Sequence, residues 1–88
     1  KNNVKPFAKL GIRINGVAPG NILFKGSIWE RKILKNKKRV YDMIASKVAM
    51  NRFGIPIEIA NAVVFLSSSV SSFTTGNILV IDGGQVKS

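Results

Sequence analysis

The sequence contains no cysteine and no histidine, and only four acidic residues among 88. Without cysteine there are no disulfide staples, no thiolate catalysis and no cysteine-based zinc site. Without histidine no Ser-His-Asp or Cys-His machinery can be built within the chain. A cysteine-free chain fits a reducing, cytoplasmic compartment. Long apolar runs are also missing. The longest, Ile59 to Leu66, is interrupted by Asn61 and falls far short of the roughly 20 residues needed to span a bilayer, so no membrane association is expected. The start, Lys1-Asn2-Asn3-Val4-Lys5-Pro6, has no apolar segment of the kind a secretory signal requires. Nor is there an internal repeat or a low-complexity tract.

What is abundant is positive charge. Fourteen Lys and Arg against four Asp and Glu give a formal net charge of +10. Such a balance attracts nucleic acid, anionic surfaces and phosphate ligands without specifying any of them. Base-composition bias would also enrich Lys, Asn and Ile.

The first readable element is Gly11-Ile12-Arg13-Ile14-Asn15-Gly16-Val17, where apolar and polar residues alternate. It predicts a short strand ending in the turn Ala18-Pro19-Gly20. Val4 to Leu10 read as the tail of a helix stopped by Gly11, provided that Pro6 sits in a first turn. Asn21 to Ser27 are irregular. From Ile28 to Lys47 a basic amphipathic stretch follows, with Trp29, Ile33, Val40 and Ile44, joined by Leu34, Tyr41 and Met43, on one broad face. Asn36 marks a break between two shorter helices. Pro56 is suited to a helical first turn, and Glu58 to the positive end of the helix dipole. Ile59, Ala62, Val63 and Leu66 then recur at helical spacing, with Phe65 widening the stripe, before the serine cluster Ser67 to Ser72. Ile78-Leu79-Val80-Ile81 is apolar on both sides, as a strand covered on both faces of a parallel sheet would be.

Two strands joined by a helical crossover imply a parallel pair. The fold class is therefore α/β. Two such strands leave an edge unpaired and apolar faces uncovered, so the sequence reads as part of a larger sheet, incomplete alone.

Taken together, the stretches Gly11-Ile-Arg-Ile-Asn-Gly-Val-Ala-Pro-Gly20, Arg52-Phe-Gly-Ile-Pro-Ile-Glu-Ile-Ala60, Ala62-Val-Val-Phe-Leu-Ser-Ser68, Thr75-Gly76 and Val80-Ile-Asp-Gly-Gly84 resemble the C-terminal part of the classical short-chain dehydrogenases/reductases. The resemblance implies that residues 1–88 form the closing segment of one Rossmann-like, doubly wound parallel sheet, with the N-terminal part of the same domain as its partner. It implies an NAD(P)-dependent oxidoreductase that moves a hydride between nicotinamide and a carbonyl or alcohol carbon of a small-molecule substrate. NAD and NADP stay undivided, because that choice is made near the early strands. Pro19 and Gly20 match the family's turn beside the nicotinamide ring. Ile22 matches the position whose backbone holds the nicotinamide carboxamide. Two residues on, the family commonly has Thr; Phe24 stands here and has no hydroxyl. Residues 23–50 fall where the family places its substrate lid, which makes Phe24, Ile28 and Trp29 candidate substrate-facing groups, or simply packing between lid and body. Asn15, Arg52, Gly54, Pro56, Glu58, Gly76, Asp82, Gly83 and Gly84 match positions that fix turns and strand ends.

The family's Gly-rich loop is absent from this sequence, and so is its Tyr-x-x-x-Lys pair. The one tyrosine, Tyr41, is followed four residues later by Ala45, and Lys47 lies about 600° further around a helix, off the tyrosine's face. No catalytic or metal-binding residue is therefore expected within the chain, and enzyme activity is expected of the intact protein only. The resemblance also implies a homo-oligomer, a dimer or tetramer, with the last helix and strand in the contact. A competing reading is a non-catalytic basic binding or subunit-interaction module built on Lys32, Lys35, Lys37, Lys38 and Arg39. Its nucleic-acid form is disfavoured, because the basic run lacks interleaved exposed aromatics.

Overall fold

The computed structural model describes residues 2–86. A short helix α1 (Lys5–Ala8) leads to strand β1 (Gly16–Pro19). Two helices follow, α2 (Ile28–Lys35) and α3 (Lys37–Lys47), then helix α4 (Pro56–Ser67) and strand β2 (Ile78–Ile81). Single 3-10 turns precede α1 and follow α4. The two strands pair in parallel, Gly16 opposite Ile78 through Pro19 opposite Ile81, as the crossover pattern predicts.

Local chemistry accounts for most of the boundaries. Pro6 lies in the first turn of α1, where its missing N–H costs nothing. Gly11 takes the left-handed conformation (φ 77°) past the helix end, and the N–H of Ile12 turns back to the carbonyl of Phe7 at 3.0 Å. Ser27 caps α2 by accepting from the Glu30 N–H, and Glu30 Oε1 accepts from the Gly26 N–H. Asn36 does two jobs at the expected break. Its N–H closes α2 onto the carbonyl of Lys32, and its side chain accepts from the Arg39 N–H to start α3. Pro56 opens α4, and Glu58 returns to accept from the Ile55 N–H at 3.0 Å.

Three expectations need correction. The first strand is not Gly11–Val17: the ladder begins only at Gly16 and runs on through Pro19. The segment before Gly16 faces the turn that precedes β2, not a strand, so beside one backbone bond, from the Gly76 N–H to the Ile14 carbonyl at 2.8 Å, side chains make the pairing. Ile14 N–H donates to Thr75 Oγ1 at 3.0 Å, Asn15 Nδ2 donates to the Thr74 carbonyl at 2.9 Å, and Asn77 N–H donates to Asn15 Oδ1 at 3.1 Å. Next, Leu34 is not part of the apolar face; it is 81% exposed, because the break at Asn36 lets the two helices turn their faces independently. Finally, the α4 stripe is only partly covered. Leu66 is buried and Ile59 and Ala62 are half-buried, whereas Val63 and Phe65 stay exposed, since two strands give the helix little to lie on.

The core gathers Val40, Ile44, Val48 and Phe53, with Leu23, Trp29, Ile33 and Met43 packed around it. It sits between the α2–α3 pair and the loop that leads into α4, not on the sheet. The Cα radius of gyration is 16.4 Å, well above the roughly 12 Å of a compact domain of this length.

Candidate functional site

The site builds up from the carboxyl ends of the two strands. Beyond Pro19, the Gly20 N–H donates to the Ile81 carbonyl at 2.9 Å, which carries the pairing one residue past the strand. Gly20 lies so close to the other strand that an added Cβ would stand 2.6 Å from Asp82 Cβ and 2.7 Å from Asp82 Cα. Only glycine fits without moving backbone. Asn21 Nδ2 then donates to Gln85 Oε1 at 3.2 Å.

At Ile22 the chain forms an isolated parallel bridge to Gly54. Its two hydrogen bonds run from the Gly54 N–H to the Asn21 carbonyl and from the Leu23 N–H to the Gly54 carbonyl, both at 2.9 Å. In parallel pairing the residue between those two groups turns its own N–H and C=O to the opposite side. Ile22 therefore presents a backbone donor and acceptor away from the bridge, while its side chain lines a cleft.

That cleft, about 520 Å³, is walled by Asn21, Ile22, Met50, Arg52, Gly54 and Glu58 among others, with the end of β2 and the turn after it completing the rim. The turn after β2 is pinned in place. The Met50 N–H donates to the Gly83 carbonyl, the Ala49 N–H to the Gly84 carbonyl, and the Val86 N–H to the Lys47 carbonyl. The cleft thus lies beyond the carboxyl ends of parallel strands, where open α/β sheets hold their ligands.

The Arg52–Glu58 pair in its wall is structural. Arg52 and Glu58 form a bidentate fork, Nη1 to Oε1 at 2.9 Å and Nη2 to Oε2 at 2.8 Å, and Arg52 also donates to the Phe53 carbonyl. The Arg52 hydrogen bond, helped by the Ile55 N–H, holds the Glu58 carboxyl down at about 2, below its ordinary 4.5. A carboxylate so held is a poor general base. The fork is present in full above pH 4.5 and is lost as pH falls through about 2. The Glu58 carboxyl carbon, followed by NMR, is expected to titrate near pH 2, and Arg52→Gln to return the midpoint toward 4.5. A midpoint near 4.5 in the unmodified chain would show that the fork does not form.

The remaining candidates fall into two groups. Phe24 and Ile28 are exposed, at 51% and 60%, on the segment that follows Ile22. Trp29 packs against Phe53 with ring centroids 5.4 Å apart, and Lys32 Nζ lies 4.8 Å from the Trp29 ring. Tyr41 sets its edge on Phe53 at 5.7 Å. Among the described residues no group of His, Cys, Asp and Glu could hold a metal ion, and no helix is long and apolar enough to cross a membrane.

Sequence reasoning missed one organising residue. Arg13 is half-buried and donates from Nη1 to the Leu66 carbonyl at 2.7 Å, to Ser71 Oγ and the Thr74 carbonyl at 3.2 Å, and from Nη2 to the Ser68 carbonyl at 3.1 Å. A cation at the carboxyl end of a helix satisfies orphan carbonyls and meets the negative end of the dipole. It ties the approach to β1 to the end of α4, and so fixes the helix that flanks the strands. The signal available was one arginine in an otherwise apolar and amide-bearing segment, followed far along the chain by a serine- and threonine-rich helix end.

Residues 5–85 match the family model described as Enoyl-(Acyl carrier protein) reductase. Among curated relatives, the isoepoxydon dehydrogenase patN of Aspergillus clavatus is 42% identical over 84% of the chain and 28% of that protein. Among solved structures, 4-hydroxyisoleucine dehydrogenase complexed with NADH aligns with a TM-score of 0.80 at 31% identity, over 94% of this chain and 32% of that one. An NADPH-bound short-chain oxidoreductase from Pseudomonas aeruginosa PAO1 aligns with a TM-score of 0.79 at 29% identity, over 99% and 34%. The chain thus spans about a third of the length of the proteins it matches.

Proposed function

The chain belongs to the short-chain dehydrogenase/reductase family, and from that premise we propose that it is the C-terminal third of an NAD(P)-dependent oxidoreductase domain. The observation that carries the reading is the free backbone edge of Ile22 at the carboxyl ends of two parallel strands. A carboxamide has one acceptor oxygen and an NH₂ donor, and the N–H and C=O of a single residue match that pair. Pro19 and the side-chain-free Gly20 leave room for a flat ring to come close to the backbone. These residues fit the nicotinamide end of a dinucleotide; the pyrophosphate needs a glycine-rich loop that this chain does not contain.

When bound, the nicotinamide supplies hydride chemistry toward a carbonyl or alcohol carbon. The chain's own part is to orient the ring and to cover the substrate. Ile22 fixes the carboxamide, and so the face that the ring presents. The lid, residues 23–50, closes over a small-molecule substrate, with Phe24, Ile28 and Trp29 as the groups that can reach it. Phe24 gives the cofactor no hydroxyl, so orientation rests on the Ile22 backbone. The proton-transfer groups lie in the partner segment. We place the intact enzyme in the cytoplasm as a homo-oligomer, a dimer or tetramer, supported by the absence of cysteine and by the exposed apolar residues of α4 and β2.

A chimera tests this. Residues 1–88 replace the matching third of 4-hydroxyisoleucine dehydrogenase, and cofactor binding and turnover are measured. Ile22→Pro removes the N–H without touching the bridge bonds. It is expected to weaken NADH binding by about threefold to tenfold, the worth of one hydrogen bond. A chimera that binds NADH equally well with and without the substitution would refute the role given to Ile22.

A further inference from the structure

Residues 23–50 leave the body of the chain and return to it at two roots, held by different partners. At the leaving root the Gly20 N–H donates to the Ile81 carbonyl, and Ile22 bridges to Gly54. The returning root pairs with the C-terminal tail. Val48 forms an isolated antiparallel bridge to Gln85. It is flanked by the bond from the Ala49 N–H to the Gly84 carbonyl at 3.2 Å and the bond from the Val86 N–H to the Lys47 carbonyl at 2.7 Å.

Those flanking bonds make Val48 and Gln85 a non-hydrogen-bonded pair, the kind whose side chains stand closest on one face. Val48 is 3% exposed and belongs to the core with Val40, Ile44 and Phe53, so the Gln85 side chain starts from a firm base. It ends at the other root. Gln85 Oε1 accepts from Asn21 Nδ2 at 3.2 Å, one residue before Ile22, and both side chains belong to half-buried residues.

The leaving root has use for this extra hold. Gly20 has no Cβ, and none fits: one would meet Asp82 Cβ at 2.6 Å and Gln85 Oε1 at 3.3 Å. Glycine gives the torsions between the strand end and Asn21 the widest range of any residue. An anchor on the Asn21 side chain narrows that range. The Ile22 N–H lies in the same peptide plane as the Asn21 carbonyl, so an anchor on Asn21 also narrows the direction in which that N–H points.

We propose that Gln85, held by its backbone at the returning root, is a positioning residue that aims the backbone edge of Ile22 through the Asn21 side chain. It acts through Asn21 and not on the cofactor directly. Its role rests on Ile22 holding the nicotinamide carboxamide, as proposed above.

In the chimera described above, binding of NADH and of ADP-ribose, which lacks the nicotinamide, is measured by titration calorimetry, with the denaturant midpoint as a check on folding. Gln85→Leu keeps an apolar stem beside Val48 and removes the acceptor. It is expected to weaken NADH binding about threefold, to leave ADP-ribose binding unchanged and to shift the midpoint little. Asn21→Ala removes the same bond from its other end and should show the same loss. The double variant should lose no more than either single variant, since the two act through one bond. Equal weakening of NADH and ADP-ribose would mean that Gln85 only supports the fold. Additive losses would mean that the two residues act apart, and NADH binding unchanged in both single variants would mean that the bond aims nothing. Each of these overturns the proposal. Ile22→Pro, measured beside them, separates two failures. If it weakens NADH binding while Gln85→Leu does not, the role of Gln85 falls alone; if neither weakens it, the placement of the nicotinamide on Ile22 falls as well.

Discussion

The 88-residue chain, purified alone, is expected to show no cooperative unfolding transition as a monomer. Among the described residues only five apolar side chains are buried, Val40, Ile44, Val48, Phe53 and Leu66, while nineteen large ones are exposed. Four of the five lie in one cluster around the α2–α3 pair, so the sheet itself has almost no core. One face of β2 is open enough to leave Ile78 at 70% and Val80 at 51% exposure, and Leu79 and Ile81 on the other are only half-buried. A two-stranded sheet with so little cover is marginal in water. The ordering of each residue costs about 1–2 kcal/mol of backbone entropy, and a core this small does not offset that sum. The chain should therefore associate or remain loosely ordered. Joining it to the upstream two thirds of a relative should restore a single sharp transition by circular dichroism, with a monomer or defined oligomer by sedimentation. A sharp two-state transition from a monomer of the chain alone would contradict this.

Which features were legible in the sequence depended on how far their causes reach. Asn36, Pro6, Gly11 and Pro56 act within a turn of their own position, and each sits where the chain's pattern puts it. The parallel pairing followed from two apolar strands separated by helical periodicity. The start of β1 did not follow, because alternation in Ile12 to Val17 says nothing of what lies opposite; the turn before β2 lies there, and Asn15 bonds to it with its side chain. Arg13 escaped for a related reason. Its partners lie 53 to 61 residues away, and a guanidinium among carbonyls leaves no spacing rule to read. At the candidate site the resemblance indicated Pro19, Gly20 and Ile22, but only the geometry reveals why Ile22 is available: its neighbours' bonds to Gly54 turn its own polar groups outward.

The same geometry separates two glycines that look alike in the sequence. A Cβ at Gly20 would meet Asp82 Cβ at 2.6 Å and Asp82 Cα at 2.7 Å, and a Cβ at Gly54 would meet Ile22 Cδ1 at 2.7 Å. The contacts are equally short but differ in kind. Asp82 is held where it stands, since the Ile81 carbonyl accepts from Gly20 and Asp82 Oδ1 accepts from the Gly84 N–H at 2.9 Å. Neither side can retreat without separating the strand ends. Ile22 Cδ1, in contrast, is the tip of a side chain that can change rotamer. In the chimera Gly20→Ala is therefore expected to cost about 1–3 kcal/mol, the usual range for overpacking, read as a shift in denaturant midpoint. It should also abolish measurable NADH binding, because the strand ends that carry Pro19 and Ile22 move apart. Gly54→Ala should cost less than about 1 kcal/mol in stability. Its effect on NADH should be small, since only the Ile22 side chain moves and the backbone edge stays in register. Equal losses from the two substitutions would mean that the strand ends are not the rigid frame of the site, and the placement of the nicotinamide beside Gly20 would fall with it.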